Sequence, residues 1–303
     1  MSGVRMTIES RLAGAPITWG VCEVPGWGVM LPADRVLSEM RSLGLVATEL
    51  GAPGFLPRDP EELRFVLSRH GLAFIGGFVP VVLHEPAVRE ATLADVRDTA
   101  ALLAAAGGSM FVSAVVVDAD WSPRLELSAA QWDHLIGMLA EIDGICGEFG
   151  LTQALHPHVG TLVETATDVA TVLERSDVGW TLDTGHLDIG GYDPVQFARD
   201  AGERVVHVHL KDVDAEVAGT VRSGVRSIRE GTLAGLFQPL GQGDTPVAET
   251  IEVLEASGYD GWYVLEQDTD IGTETPAPGT GPIESARASL DFLRSLTRTG
   301  RHL

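Results

Sequence analysis

Residues 151–212 read LTQALHPHVGTLVETATDVATVLERSDVGWTLDTGHLDIGGYDPVQFARDAGERVVHVHLKD. Three short strand-like runs stand in this stretch, Thr152–His156, Gly179–Asp183 and Val205–Leu210, with helix-like segments between them. One of those segments opens on Asp193 then Pro194, an N-cap followed by a residue whose fixed φ suits a first helical turn. Strand, helix, strand repeated in this way predicts parallel pairing, because each crossover returns the chain to the same edge direction.

The alternation extends in both directions. Leu12–Trp19, Val46–Leu50, Ala73–Val79 and Met110–Val117 precede the quoted stretch and Trp262–Glu266 follows it, which makes eight strands. Asp59 with Pro60, and Ser128 with Gln131 three residues on, are further helix starts. Gly44, Gly71, Gly107, Gly150 and Gly258 each follow a helical pattern and precede a strand, where a left-handed residue is wanted. Eight repeats predict closure into a single parallel (β/α)8 TIM barrel spanning 1–303 as one domain. A doubly wound open sheet is the alternative, but no G-x-G-x-x-G follows the first strand. Asp212 to Asp244 is the longest stretch without a clear period and reads as a lid or binding loop, and Pro276 to Pro282 reads as a flexible connection to a last helix, Ser285–Thr297.

Composition excludes several functions. Against 43 acidic residues stand 21 basic ones, leaving a net charge of −22, so polyphosphate partners are repelled and a nucleic-acid role is not expected. The two cysteines, Cys22 and Cys146, can build neither a disulfide framework nor a thiolate zinc site. Met1 to Arg11 has no apolar run of signal-peptide length, and nowhere do about 18 uncharged apolar residues run together, so a soluble, cytoplasmic protein with no membrane partner is expected. A homo-oligomer is compatible with all of this.

In a parallel barrel the carboxyl ends of the strands share one face. The fifth strand ends in LHPHVGT with His156 and His158, the sixth in LDTGH with Asp183 and His186, the seventh in HVHLKD with His207, His209 and Lys211, and the eighth in VLEQD with Glu266. Alternation puts His207 and His209 on one side, and His209 lies nearer the strand end. His156, Asp183, His209 and Glu266 would form a mixed nitrogen and oxygen site for one divalent metal ion, Mn²⁺, Mg²⁺, Co²⁺ or Zn²⁺. Each residue alone is more simply a hydrogen-bonded side chain or a turn former, but four strands ending in buried ionisable groups call for a shared cation, since burial without one costs several kcal/mol each. Weaker candidates are Trp19 and Trp27 as walls for a sugar-like ligand, Glu49 as a residue that holds a hydroxyl or orients a ligand, and Arg222 and Arg226 as loop residues closing on substrate oxygens. For each, packing or a solvated salt bridge competes. Asp188 and Asp193 read as caps and turns.

The strings APITWG, TELG, LHPHVGT, LDTGHLDIGGYDP, HVHLKD, GLFQPLGQGD and GYDGWYVLEQD resemble the inosose dehydratase group of the xylose-isomerase-like sugar isomerase/epimerase barrels, from about Leu12 to Asp268. The resemblance implies a (β/α)8 barrel with a divalent metal held by one residue from each of strands five to eight: His156, where most of the superfamily has glutamate, then Asp183, His209 and Glu266. It also implies pocket roles for His186 and His158. Epimerases of the superfamily are thought to pair two metal-bound glutamates, and His156 breaks that symmetry, which favours dehydration over epimerisation.

The expected activity is therefore that of a metal-dependent hydro-lyase removing water from a small polyhydroxylated keto compound, scyllo-inosose (2-keto-myo-inositol) or a near relative, in inositol catabolism. His186, His158 and Lys211 are the candidate acids and bases, Lys211 only if burial or the nearby cation lowers its pKa. A sugar or sugar-phosphate isomerase or epimerase acting on a ketose or keto acid is the alternative, and a non-catalytic sugar-binding barrel a further one.

Overall fold

A computed structural model describes residues 7–22, 24 and 26–298; the two ends of the expected 1–303 domain lie outside the described residues. The barrel strands are β1 (Leu12–Gly14), β2 (Ala47–Thr48), β3 in two pieces (Ala73–Phe74 and Gly76–Val81), β4 (Met110–Val115), β5 (Thr152–Leu155), β6 (Gly179–Asp183), β7 (Val205–Leu210) and β8 (Tyr263–Leu265). All their pairings are parallel, in the order β3-β2-β1-β8-β7-β6-β5-β4-β3. The ring closes through Ile75, between the two pieces of β3. Its N–H donates to Thr48 O (3.1 Å), while its carbonyl accepts from Ser109 N–H (2.7 Å) and Met110 N–H (3.0 Å). This sharp hand-over from one neighbour to the other needs Gly76, because a Cβ there would lie 1.9 Å from Met110 O.

The helices are α1 (Ala33–Leu43), α2 (Pro60–His70), α3 (Arg89–Ala105), α4 (Ala129–Glu148), α5 (Ala166–Arg175), α6 (Thr184–Gly190), α7 (Pro194–Ala201), α8 (Ala215–Arg222), α9 (Ile228–Leu233), α10 (Val247–Ser257) and α11 (Pro282–Arg298). The caps read from sequence form as expected. Asp59 accepts from Glu61 and Glu62 N–H, Ser128 and Gln131 make a reciprocal capping box, and Asp193 accepts from Val195 N–H. A large apolar layer fills the space between barrel and helices, including Trp19, Leu37, Phe111, Trp180, Val205, Val208 and Leu210. A smaller cluster, Ala13, Ala15, Ala47, Ile75, Met110, Val112, Ala154 and Val264, fills the barrel itself, and its many alanines leave room above it for polar groups.

The stretch 212–244 is not a bare loop. The strands Asp212–Val213 and Phe237–Gln238 pair antiparallel, and α8 and α9 fold between them on a third apolar cluster of Val159, Ile189, Val213, Ala218, Val221, Leu236 and Phe237. Both helices are capped, α8 by Asp214 and α9 by a Ser227–Glu230 box.

One irregularity precedes the site residues of β7. Trp180 pairs with Val205, yet the next pairs are Thr181 with His207 and Asp183 with His209, so Val206 is an extra residue in β7. Trp180 and Val205 both face the outer layer, and so do Val208 and Leu210. Val206 packs against the inner cluster and His207 follows it inward, so two consecutive side chains enter the barrel. The bulge places one extra residue on the inner face ahead of His207, and alternation then carries His209 and Lys211 inward as well. Opposite it stands Gly179, where a Cβ would lie 2.7 Å from Gln153 O and 2.9 Å from Val206 Cγ2.

Among the described residues no helix is long and apolar enough to cross a membrane. Cys146 is a buried free thiol.

Candidate active site

At the carboxyl ends of β5 to β8 the structure brings together His156, Asp183, His209 and Glu266, all buried. Asp183 divides its oxygens. Oδ1 accepts from His186 N–H at 2.8 Å and so caps α6, while Oδ2 faces His156 Nε2 (3.6 Å) and His209 Nδ1 (3.7 Å). His209 Nδ1 also lies 2.7 Å from Glu266 Oε2, but the ring N–H is not aligned along that contact. Asp183 Oδ2 and His209 Nδ1 are both buried with no hydrogen-bond partner. Buried acceptors and imidazole nitrogens converging without bonding one another are what a shared cation satisfies, and carboxylate with imidazole suits a divalent metal.

Tautomers follow from the neighbours. His156 Nδ1 donates to Pro157 O (2.8 Å), which leaves Nε2 with the lone pair that faces Asp183. His158 Nδ1 donates to Val159 O (2.8 Å), which likewise frees its Nε2. Burial, helped by the charge at His209, pushes His156 down to about 3. Burial beside Lys211 pushes His158 down to about 4. Both rings are neutral at pH 7.

Lys211 is fully buried, and its Nζ sits 2.9 Å from Glu266 Oε1, 3.0 Å from Asp268 Oδ1, 3.3 Å from Asp183 Oδ2 and 2.8 Å from His186 Nε2. Burial alone would lower its pKa, but Asp183, Asp268 and Glu266 overcome that and raise it. In the metal-free protein these three carboxylates make Lys211 a held ammonium. His186 faces donors on both nitrogens, Val159 N–H at Nδ1 (3.3 Å) and Lys211 at Nε2. A neutral ring with one N–H cannot satisfy both, so the Lys211–His186 pair holds one proton more than this geometry accommodates. The His186 and His158 rings pack against each other with centroids 3.8 Å apart and planes tilted by 34°.

Glu49, just beyond β2, reaches across the interior to β7. Its Oε1 accepts from His207 Nε2 (2.8 Å) and His209 Nε2 (3.0 Å). Burial pushes its pKa up, but the two imidazoles outweigh this and hold it at about 2. Its burial excludes the surface salt bridge that competed with a pocket role.

Two expectations fail. Trp19 does not wall the pocket: it is 0% exposed in the outer apolar layer, and its Nε1 donates to Glu39 Oε2 on α1 (2.8 Å). The strand stops at Gly14, and the single 3-10 turn Pro16–Trp19 that follows carries the ring into the helix layer. Arg222 is engaged within the fold. Its Nε donates to Ile189 O (2.8 Å) and its Nη2 to Asp188 O, so it ties α8 to the carboxyl end of α6. Trp27 and Arg226 are likewise spent on structure, on Thr269 O and Thr220 Oγ1.

Sequence reasoning missed three groups that line the pocket. Asp268 is buried beside Lys211, two residues past Glu266 and hence on the same side, a relation that alternation could have found. Phe78 on β3 and Trp121 after β4 stack with centroids 6.1 Å apart and planes 12° apart, and both lie against His158, at 5.6 and 6.0 Å. Trp121 has φ of 56°, a left-handed conformation rare for a bulky residue, and Asp118 pins that turn by accepting from Asp120 and Ser122 N–H. Phe237, carried in from the 212–244 excursion, closes the far wall 6.2 Å from His186.

Comparison with known proteins agrees with this architecture. The chain is 32% identical to an inosose dehydratase of Geobacillus kaustophilus (strain HTA426), over 88% of this chain and 90% of the relative. It is 33% identical to the rhizopine catabolism protein MocC of Rhizobium meliloti, over 90% of this chain and 86% of that one. A solved L-ribulose 3-epimerase superposes with a TM-score of 0.70 at 19% identity, covering 96% of this chain and 95% of that structure, which bears on the fold alone. The profile of the xylose isomerase-like TIM barrel family matches residues 37–296. With that match spanning most of a closed parallel barrel whose strand ends gather histidines and carboxylates, the chain belongs to the xylose isomerase-like TIM barrel family.

Proposed function

We propose that this chain is a metal-dependent hydro-lyase that removes water from a small cyclic polyhydroxylated ketone of the inosose type. The observation that carries the reading is the opposed pair beside the ligand cluster. His158 presents a bare Nε2, and His186, 3.8 Å away ring to ring, is backed by the Lys211 ammonium. One side can take a proton and the other can give one.

His156, Asp183, His209 and Glu266 would hold the divalent cation. Bound there, it supplies positive charge that lowers the cost of the negative charge developing on a ketone oxygen as the neighbouring carbon is deprotonated. His158 Nε2 takes the proton from that carbon. The Lys211–His186 pair gives a proton to the hydroxyl on the next carbon, the C–O bond breaks, a carbon–carbon double bond forms and water leaves. Phe78 and Trp121 offer an apolar wall to the C–H face of a ring whose hydroxyls point to its rim. His156, neutral and carbonyl-bonded, cannot pair with Glu266 as the second of two carboxylates exchanging a proton across a substrate.

The test is incubation with scyllo-inosose in the presence of Mn²⁺, Mg²⁺, Co²⁺ or Zn²⁺. An enol-diketone absorbing in the ultraviolet is expected. Absence of that product, with an isomer recovered from a ketose panel, would establish an isomerase or epimerase instead.

A further inference from the structure

We infer that Glu49 is a positioning residue for the metal centre: by accepting from His209 Nε2 it fixes which nitrogen of that ring is offered to the cation. This rests on the metal reading of His156, Asp183, His209 and Glu266 made above.

A histidine can bind a metal through either nitrogen, and the hydrogen bond made by the other decides which. His209 stands in register between Asp183 and Val264, with Nδ1 turned toward Asp183 Oδ2 and Glu266 Oε2 and Nε2 turned toward Glu49 Oε1. Glu49 approaches from β2, two strands beyond β8, so the contact spans the barrel rather than the sheet. The small side chains of Ala13, Ala15 and Ala47 leave the passage open.

His207 shows that the arrangement is built for orientation. It lies one layer deeper than His209, paired with Thr181, and its Nδ1 is buried without a partner. Its one hydrogen bond is from Nε2 to the same Oε1. Leaving a buried nitrogen unpartnered is costly. Here the ring serves as the second donor on the carboxylate, so Oε1 is held at a fixed point between two imidazoles whose centroids are 5.0 Å apart and 75° off coplanar. These two bonds tie both Nε2 atoms to one carboxylate oxygen, which makes the trio a rigid bracket behind the ligand set. Glu49, His207 and His209 are close enough to hold a second cation themselves, but that would require breaking both N–H bonds to the carboxylate.

The experiment measures Mn²⁺ affinity by equilibrium dialysis for the unaltered chain, Glu49→Gln, His207→Gln and Asp183→Ala, with thermal unfolding of each metal-free protein as the folding control. Loss of the carboxylate should weaken Mn²⁺ binding about 10- to 100-fold in Glu49→Gln. His207→Gln, which keeps the His209–Glu49 bond, should lose less. A folded Glu49→Gln with unchanged affinity overturns the inference when Asp183→Ala has lost binding; if Asp183→Ala also binds normally, the metal reading itself has failed. Should Glu49→Gln not fold, nitrogen-15 NMR of the unaltered chain loaded with Zn²⁺ decides the matter. A proton on His209 Nε2 supports the bracket, and metal on Nε2 refutes it.

Discussion

Oδ2 of Asp183 and Nδ1 of His209 lie 3.7 Å apart, and neither has a hydrogen-bond partner. Lys211 Nζ stands 3.3 Å from that oxygen and Glu266 Oε2 2.7 Å from that nitrogen, but neither contact is aligned as a hydrogen bond, and a cation shared with His156 would engage both atoms. Substituting His156, Asp183 or Glu266 by alanine should therefore abolish metal retention and activity together, read by metal analysis of the purified variants and turnover of scyllo-inosose. A chelator should lower the unfolding temperature of the unaltered chain, because a ligand bound only to the native state stabilises it. Activity persisting in metal-free protein would sink the proposed function.

Acid should destabilise the metal-free protein through the neutral histidines at and beside the site. His156 and His158 are depressed to about 3 and about 4, chiefly by burial, and His186 and His207 move in the same direction. For such groups the stabilising contribution is present above the unfolded value near 6.5 and is lost as the pH falls toward the folded value. His209 runs the opposite way. Burial lowers it, but Glu266 and Glu49 raise it well above 6.5, so its contribution is full below 6.5 and declines as pH rises through its folded value. Four rings oppose one, and the net expectation is falling stability from pH 6.5 to 4, by up to about 1.4 kcal/mol per pH unit for each depressed ring. Denaturant midpoints at pH 7 and 5 check this, and His158→Asn should show a shallower fall.

Trp121 should govern substrate affinity rather than chemistry. Trp121→Ala removes the ring stacked on Phe78 and beside His158, and a roughly 10-fold rise in KM with little change in kcat is expected, while Trp121→Phe should keep most of the affinity. Asp118→Ala, which frees the turn, should mimic the alanine variant. A loss confined to kcat would mean that Trp121 acts on the reacting groups.

At the amino end of the barrel Arg11 is buried against Glu255 (2.6 Å) and donates to Tyr259 and Gly261 carbonyls, while Tyr263 Oη donates to the same Glu255 oxygen (2.8 Å). Arg11→Met leaves a buried carboxylate without its cation and should cost about 3–5 kcal/mol of stability. Turnover per folded molecule should stay unchanged, since this cluster lies at the opposite end from the site. Denaturation and titrated activity measure the two effects separately.

The strand order and the four gathered side chains were legible because their signals are local: caps, glycine stops, and ionisable residues at strand ends. The helices α8 and α9 carried caps at Asp214 and Ser227, but eight and six residues are too few for a period to show. Trp121 escaped because a positive φ leaves no mark on a non-glycine residue in sequence, and Trp19 misled because the strand ends at Gly14 and a 3-10 turn over Pro16–Trp19 redirects the ring. The place of Lys211 was readable, but its charge depends on Asp268, Glu266 and Asp183 arriving from two other strands. In VVHVHL the alternation of valine with histidine is plain, yet counting on from the outward Val205 puts the wrong set inside the barrel unless Val206 is read as an extra residue.

That extra valine adds one rung to the inner face without changing which residues follow it there. With Val206 removed, Val205 would still lie opposite Trp180 and His207 opposite Thr181, so the three imidazole- and amine-bearing side chains would keep their heading. What a one-codon deletion would take away is the valine's contact with the inner cluster and the local bend of a bulged strand.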